Sequence, residues 1–183
     1  MSKNNYKSVK ESQIEISELM LPSYKNFGGK IHGGYILSLM DQIAFACASK
    51  HSGSYCVTAS VDKVNFLNPI EVGELVTMKA SINYIGTSSM VVGIRVESEN
   101  IMTGEVKHCN SSYFTMVARN KNGTVKVPGL IIRSRLEAKR FLRAVKRKDF
   151  ETHKEEALAA LYKNLDNFLP ELQQFRVNLD LKD

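Results

Sequence analysis

Apolar positions follow two different rhythms along this chain. From Gly34 to Ala48 nearly every residue is apolar, which predicts a helix from about Gly33 to Lys50. Lys50, His51 and Gly53 supply a stop signal at its end. A helix that is apolar all round is typical of a core element, so we expect the rest of the domain to surround it.

Alternating apolar and polar residues predict strands on both sides of this helix. Residues 13–19 alternate with period two before it. Four runs rich in β-branched and aromatic residues follow it, over residues 55–67, 74–85, 89–99 and 105–118. Short turns separate these runs, and short connections require antiparallel neighbours. The pattern predicts an α+β fold in which an antiparallel sheet of five or more strands covers one long helix.

The strand pattern stops after Gly123, and Pro128-Gly129 marks a boundary. Two helical stretches follow, over residues 134–148 and 151–168. We therefore divide the 183-residue chain into a domain over residues 1–127 and a basic helical extension over residues 128–183. We expect the extension to pack on its own subunit or on a neighbour.

Charge is concentrated in one segment of the extension. Residues 133–148 hold eight Lys or Arg and one acid, Glu137, a net of +7, whereas the whole chain carries +6. Nucleic-acid binding is one interpretation of such a cluster, and a solvated helix face or a phosphate-rich small ligand is the other. No aromatic stacking pattern or known nucleic-acid module accompanies it, so we expect no nucleic-acid partner.

The cysteines and the hydropathy restrict the cellular setting. The three cysteines, Cys47, Cys56 and Cys109, lack metal-type spacing and are typical of reduced thiols in a cytoplasmic protein. The four histidines lack zinc spacing, so we expect no metal. No run of 18 apolar residues exists and the N-terminus has no apolar stretch, which argues against a membrane span and a signal peptide.

The apolar helix contains one charge, Asp41. A buried carboxylate is costly unless it is hydrogen-bonded or functional, so Asp41 is either a structural group or a catalytic one. Just upstream, residues 26–34 form a glycine-rich loop, and the free N–H groups of the helix start point back at it. Asn26 is a turn residue or a group that orients water, and His32 is a base or a residue that orders the turn.

Other chemistries lack their parts. The G-x-S-x-G motif of serine hydrolases is absent, as are a P-loop and a G-x-G-x-x-G after a strand. Cys47 lies in an apolar helix, where a cysteine serves packing far more often than nucleophilic attack. A carboxylate, an amide and helix-start N–H donors are the parts of a hydrolytic site without a cofactor.

These motifs resemble those of the hotdog-fold acyl-CoA thioesterases, in the cytosolic long-chain acyl-CoA hydrolase branch with its single-domain bacterial members. The resemblance begins with Asn26-x-x-Gly29-x-x-His32-Gly33-Gly34 and Leu39-Met40-Asp41. It continues through residues 60–66, Pro69, Gly73, residues 86–90 and residues 113–117, and covers about residues 13–120. It implies hydrolysis of fatty acyl-CoA to free acid and CoA, with no cofactor.

The resemblance also implies a site at a dimer interface, with the Asn and the Asp from different subunits. Carried over, Asp41 is the general base or nucleophile, Asn26 positions water or the carbonyl, and the N–H of Gly34 polarises the thioester carbonyl. The implied substrate-binding residues are His32, Gly33, Lys63, Gly86, Thr87, Ser88 and Ser89. A positively charged residue is common in the family at the position of Thr87, so Lys63 or the basic extension has to supply that charge here.

The resemblance leaves competing functions to separate. A hotdog protein that binds acyl-CoA as a sensor without turnover is one alternative, and a hotdog dehydratase is another, although its differently placed His motif is absent. The family further implies a homo-oligomer of hotdog dimers, namely a hexamer made of three dimers. Acyl chain length is not readable, because the tunnel walls come from several loops and two subunits.

Overall fold

The computed structural model describes residues 5–178 and residue 180, so the outermost ends of both predicted domains, residues 1–4 and 181–183, lie outside the described residues. Contacts divide the chain into two compact units, Met1–Leu142 and Arg143–Asp183. The first unit therefore extends beyond the predicted boundary after residue 127.

The first unit is built on one antiparallel sheet. Its strands are β2 (Ile14–Leu19), β3 (Tyr55–Val61), β4 (Leu75–Ile85), β5 (Ser89–Glu99) and β6 (Val106–Asn120), in the order β2-β4-β5-β6-β3, and β7 (Gly123–Thr124) pairs with β6. The predicted antiparallel sheet is confirmed. The first run is shorter than predicted, because the register slips between Thr58 and Ser60 and residues 62–67 then leave the ladder.

Three short strands were not predicted, namely β7 and a parallel pair. β1 (Tyr6–Ser8) pairs in parallel with β8 (Gly129–Ile131), and α1 (Val9–Ser12) follows β1 directly. The expectation that strands end after Gly123 is therefore wrong. His51 ties these pieces to the core, since it is fully buried, accepts from Ser12 Oγ at Nδ1 (3.2 Å) and donates from Nε2 to the Pro128 carbonyl (3.2 Å).

The central helix, α2 (Gly33–Ser52), contacts all five long strands. It follows a 3-10 turn at Pro22–Tyr24 and ends where Gly53, at φ +69°, takes the left-handed conformation that closes many helices. Its bounds match the prediction closely. The core lies between one face of α2 and the inward side chains of the sheet, among them Ile36, Met40, Ile43, Val76, Met78, Ile82, Met90, Val92, Phe114 and Met116.

One face of α2 is exposed, which corrects the expectation of a helix buried on every side. Ser38, Asp41, Gln42 and Phe45 form an exposed stripe at helical spacing. The carboxylate of Asp41 is therefore exposed in the single chain, not buried. The apolar character of the helix led to the wrong prediction, because apolar residues such as Phe45 also occupy this outward stripe.

The C-terminal region is helical. α3 (Arg135–Lys163) is one continuous helix where two were predicted, since no Gly or Pro interrupts the chain between residues 148 and 151. α4 (Leu165–Phe168) and a 3-10 segment (Leu169–Gln174) follow. Within the described part of the chain, no helix is both long and apolar enough to cross a membrane.

Candidate active site

The loop before α2 is organised by the side chain of Asn26. Its Oδ1 accepts from the backbone N–H groups of Gly28 at 2.8 Å and Lys30 at 3.2 Å. Gly29 has a φ of +80°, a conformation that L side chains rarely adopt. Asn26 thus has the geometry of a turn residue, and its amide Nδ2 is the side-chain group left to donate outward.

His32 caps the first turn of α2. Its Nδ1 accepts from the N–H of Gly34 at 2.9 Å, so Nδ1 carries no proton. The imidazole therefore orders the turn, the plainer of its two predicted roles. The N–H of Gly34, the donor expected to face the thioester carbonyl, is engaged by this ring. Among residues 5–178, no group accepts from the N–H of Gly33.

The start of α2 is further fixed by an aromatic pair. The rings of Tyr24 and Tyr35 stack with centroids 3.9 Å apart, and the Tyr35 hydroxyl donates to Glu18 on β2. Burial, followed by this hydrogen bond, raises the pKa of Tyr35 well above its usual range. Tyr35 therefore stays protonated and holds the helix start against the sheet.

Asp41 lies two turns farther along the exposed stripe of α2 and contacts β3. Its Oδ1 accepts from the hydroxyl of Thr58 at 2.6 Å, a distance typical of an O–H donor on an ionised carboxylate. The hydroxyl of Thr58 also lies 3.5 Å from the Met116 sulfur on the neighbouring strand β6. Both partners are exposed in the single chain, so the carboxylate is held in place and stays open to solvent.

Thr58 was missed by the sequence analysis. A threonine in a strand is ordinary, and only the packing of β3 against α2 shows that its hydroxyl faces the carboxylate. A signal was present in the charge of Asp41, because a carboxylate on the sheet side of a helix requires a donor from the nearest strand. No hydrogen bond joins Asn26 to Asp41 within the described residues of one chain.

The turn between β4 and β5 holds four of the predicted substrate-binding residues. The N–H of Gly86 donates to the Ser89 carbonyl at 2.8 Å and closes the turn. A Cβ on Gly86 would lie 2.7 Å from Ser89 Oγ, so this position is restricted to glycine unless the serine moves. Val127 and Ala118 donate to the carbonyls of Thr87 and Ser88, both at 2.9 Å, and anchor the turn to the neighbouring chain segments.

Two further predicted positions lie near the helix start or on the segment beside it. A Cβ on Gly33 would lie 3.2 Å from Phe66 Cζ, so the segment after β3 closes over the beginning of α2. Lys63 lies on that same segment and is exposed. The structure thus brings Gly33, Gly34 and His32 together with residues 62–67.

The thiol of Cys47 on α2 is unsuited to nucleophilic attack. Burial raises the pKa of Cys47 to about 12, so this thiol is not a thiolate at neutral pH. In the described part of the chain, no group of three or more His, Cys, Asp or Glu side chains could hold a metal ion.

Comparison with known proteins places this site in a wider context. Residues 28–105 match the thioesterase superfamily. Protein VdlD of Helicobacter pylori is 42% identical over 141 residues, which cover 77% of this chain and 81% of that protein. An uncharacterized acyl-CoA thioester hydrolase of Bacillus subtilis is 37% identical over 123 residues, which cover 67% of this chain and 72% of the relative.

Solved structures have the same architecture. A hexameric acyl-CoA thioesterase superposes with a TM-score of 0.78 at 35% identity, covering 83% of this chain and 97% of the other. An acyl-CoA hydrolase from Staphylococcus aureus, bound to butyryl-CoA, CoA and CoA disulfide, superposes with a TM-score of 0.77 at 29% identity, covering 88% and 99%. The S. aureus enzyme has also been solved with an asparagine, an aspartate or a threonine replaced by alanine.

Proposed function

The chain belongs to the thioesterase superfamily and has its hotdog fold, and from this premise we propose that it hydrolyses acyl-CoA thioesters to a free acid and CoA. Two independent lines of evidence support the proposal. The residues alone supply a carboxylate, an amide and helix-start donors, which suffice to hydrolyse an activated thioester bond without a cofactor. The relatives that carry a functional name are acyl-CoA hydrolases.

One observation carries the assignment of residues. In the S. aureus enzyme the replaced asparagine and aspartate are 15 positions apart, and the aspartate and threonine are 17 apart. Asn26, Asp41 and Thr58 have the same two spacings in this chain. The hydrogen bond between Asp41 and Thr58 supports their acting as a unit. The spacing thus favours a three-residue set that includes a residue the sequence pattern did not reveal.

Asp41 acts as the general base or as the nucleophile. As a base, its carboxylate takes a proton from water, the hydroxide attacks the thioester carbon, the carbon–sulfur bond breaks, and the departing CoA thiolate is protonated. The hydroxyl of Thr58 holds one carboxylate oxygen, which leaves the other oxygen for the water.

Asn26 acts through its amide Nδ2. Because Oδ1 is held by the N–H groups of Gly28 and Lys30, the amide nitrogen is directed away from the loop. It is suited to donate to the thioester carbonyl or to orient the attacking water. No hydrogen bond joins Asn26 to Asp41 within the described residues of one chain, which supports a site completed by the Asn of one subunit and the Asp of another.

The helix start supplies the oxyanion donor. Gly34 is the residue expected in this role. Its N–H donates to His32 Nδ1 in the free protein and to the thioester carbonyl when substrate binds. The N–H of Gly33 lies one residue before it and has no acceptor among the described residues, so it is a second donor at the same place. The helix fixes both backbone donors in place, so only the imidazole of His32 has to move when the negative charge develops.

The active assembly is a homo-oligomer of hotdog dimers. The exposed stripe of α2 and the edge strand β3 leave apolar surface and unpaired backbone groups open, with Phe45 39% and Tyr55 63% exposed. A hexamer is favoured because the hexameric acyl-CoA thioesterase shares this fold over 97% of its length.

A free-thiol assay over acyl-CoAs from acetyl to palmitoyl tests the function. Thiol release above background, with a preference for some chain length, is the expected result. Binding of acyl-CoA without thiol release would instead identify a sensor. Neither binding nor release across the panel would refute the proposed substrate class.

A further inference from the structure

The start of α3 carries a cluster of positive charge. Arg133, Arg135, Lys139 and Arg140 are all exposed. Within the described part of the chain none of the four side chains forms a salt bridge, and the Glu11 carboxylate on α1 interacts with Arg133 at longer range. The one acid among them, Glu137, is used by the helix cap: its Oε2 accepts from the N–H of Arg133 at 2.6 Å, and its own N–H donates to Ser134 Oγ at 3.2 Å.

Part of this charge stands where helix electrostatics disfavour it. The N-terminus of a helix bears a partial positive charge, so a cation in the first turn, here Arg135, is destabilising. The placement of Arg135 beside three further cations favours a bound anion over a merely solvated helix face.

The same helix is fixed beside the turn between β4 and β5. Phe141 packs on Tyr84 at the end of β4, with ring centroids 5.3 Å apart. The Tyr84 ring in turn lies 3.9 Å from the position of a Cβ on Gly86. Arg135 is six residues before Phe141, about 9 Å along the helix axis at 1.5 Å per residue. The basic start of α3 and the Gly86–Ser89 turn therefore occupy one end of the sheet.

Thr58, which donates to the carboxylate of Asp41, lies at the same level of the sheet as the turn between β4 and β5. Thr58 on β3 pairs with Met116 on β6, and Met116 pairs with Met90 on β5. Neighbouring strands are about 4.8 Å apart, so Thr58 and Met90 are separated by about 10 Å. Met90 directly follows the turn. One end of the sheet thus holds the carboxylate of Asp41, the Gly86–Ser89 turn and the basic residues at the start of α3.

We propose that Arg133, Arg135, Lys139 and Arg140 receive the phosphate groups of the CoA part of the substrate; this inference rests on the proposed function. The turn itself offers no cation, since Thr87 stands where a base would be expected. Arginine is suited to the role, because its planar guanidinium donates two parallel hydrogen bonds to a phosphate. The four residues thereby determine the preference for CoA over a thioester without phosphates.

The test compares two substrates that share one thioester. Butyryl-CoA carries the phosphates and butyryl-pantetheine does not. The test variant is Lys139→Glu with Arg140→Glu, and the control is Lys163→Glu with Arg176→Glu. The control makes the same change in net charge, at exposed sites at the far end of α3 and beyond it. Thermal unfolding and size-exclusion chromatography verify that both variants fold and assemble as the wild type does.

We expect the test variant to raise KM for butyryl-CoA about tenfold at low salt, the order of a few exposed charge interactions. Its KM for butyryl-pantetheine and its kcat stay within about twofold of the wild-type values. Added KCl raises KM for butyryl-CoA in the wild type and in the control, and changes it little in the test variant, because exposed attraction is screened by salt.

Three results would overturn the inference. One is an unchanged KM for butyryl-CoA in the test variant, and another is an equal loss with both substrates. The third is an equal loss in the control, which would make the effect one of net charge alone. A wild-type protein that neither binds nor hydrolyses any acyl-CoA from acetyl to palmitoyl would instead refute the proposed function. Isothermal titration with CoA and with inorganic phosphate then shows whether the four residues bind the nucleotide part or any phosphate.

Discussion

The hydroxyl of Thr58 donates to the carboxylate of Asp41 at 2.6 Å and joins the middle of the central helix to the edge strand β3. The bond orients a carboxylate that would otherwise rotate freely in solvent. It also restricts the position of β3 relative to α2, so the residue proposed to activate water is placed by the sheet as well as by its own helix.

Replacing Thr58 with valine should lower kcat about tenfold and change KM little. Valine has the shape of threonine without the hydroxyl, so Asp41 loses a hydrogen bond of the kind worth about 1.5–3 kcal/mol on a charged group. Thr77→Val is the matched control, because its hydroxyl bonds Ser17 at 2.8 Å far from the site. Steady-state kinetics with kcat of T58V within twofold of T77V would show that the bond is structural.

Replacing Asp41 with alanine should lower kcat by about 10²–10⁴ and leave the fold intact. The loss is that of a general base, and the exposed position of the side chain makes the substitution compatible with folding. Gln42→Ala, at the adjacent exposed position, should retain wild-type activity. A D41A enzyme within threefold of the wild-type kcat, measured by thiol release, would make Asp41 a structural residue.

Asn26 should respond differently to alanine and to aspartate. Asn26→Ala removes both the loop acceptor and the amide donor, so both kcat and the melting temperature fall, with kcat reduced more than KM is raised. Asn26→Asp keeps an oxygen for Gly28 and Lys30 and removes only the donor. N26D should therefore melt like the wild type and still lose kcat. Full activity in N26D would restrict Asn26 to ordering the loop.

Stability should fall as the pH drops from about 7.5 to 5.5. Burial lowers the pKa of His51, against the opposing hydrogen bond to the Pro128 carbonyl. The unfolded chain, with the ordinary His pKa of about 6.5, then binds more protons than the folded one in this window. The free energy of unfolding decreases by at most about 1.4 kcal/mol per pH unit from this group.

His51→Gln should flatten this dependence, because the amide keeps hydrogen-bonding capacity without titrating. The exposed His153 provides the control, so His153→Gln should melt with the wild-type pH dependence. The carboxyl groups with lowered pKa values, such as that of Glu74, titrate below the window. An equally steep pH dependence in H51Q, followed by circular dichroism, would assign the effect to another group.

Light scattering should find several chains per particle at micromolar concentration, with six expected. Phe45→Arg should shift the protein to smaller species, because Phe45 is the large apolar side chain of the exposed stripe of α2 and is 39% exposed. Loss of thiol release together with dissociation would support a site shared between subunits. A wild-type monomer with full activity would contradict that arrangement.

The long elements of the fold, the central helix and the five long strands, were predicted from local sequence patterns. The glycine pair at the start of α2 and Gly53 at its end set the bounds of the helix. Alternation located β2, and runs rich in β-branched and aromatic residues located the four longer strands. β8 was missed because a three-residue strand pairing with residues 6–8 leaves no periodic signal. A deletion after Pro128 would consequently remove β8, and the extension is better separated after Leu142.

The candidate site was predicted only in part, for a related reason. Asp41 and Asn26 stood out because a charge in an apolar helix and an amide beside glycines break their local patterns. The exposure of Asp41 could not be predicted, since an apolar stripe has the same appearance whether it faces a core or a second surface. The cytoplasmic setting and the role of the basic extension stay predictions.

The imidazole of His32 competes with the substrate for the N–H of Gly34 at the start of α2. A neutral thioester carbonyl that reaches the N–H of Gly34 has to displace a ring nitrogen already bonded at 2.9 Å, so one acceptor is exchanged for another of similar strength. An oxyanion is a much stronger acceptor and wins this competition easily. Under the proposed mechanism either acceptor breaks the ring bond at the same cost, so the ring lowers the affinity for both states, and the greater strength of the bond to the oxyanion is what favours the transition state over the ground state.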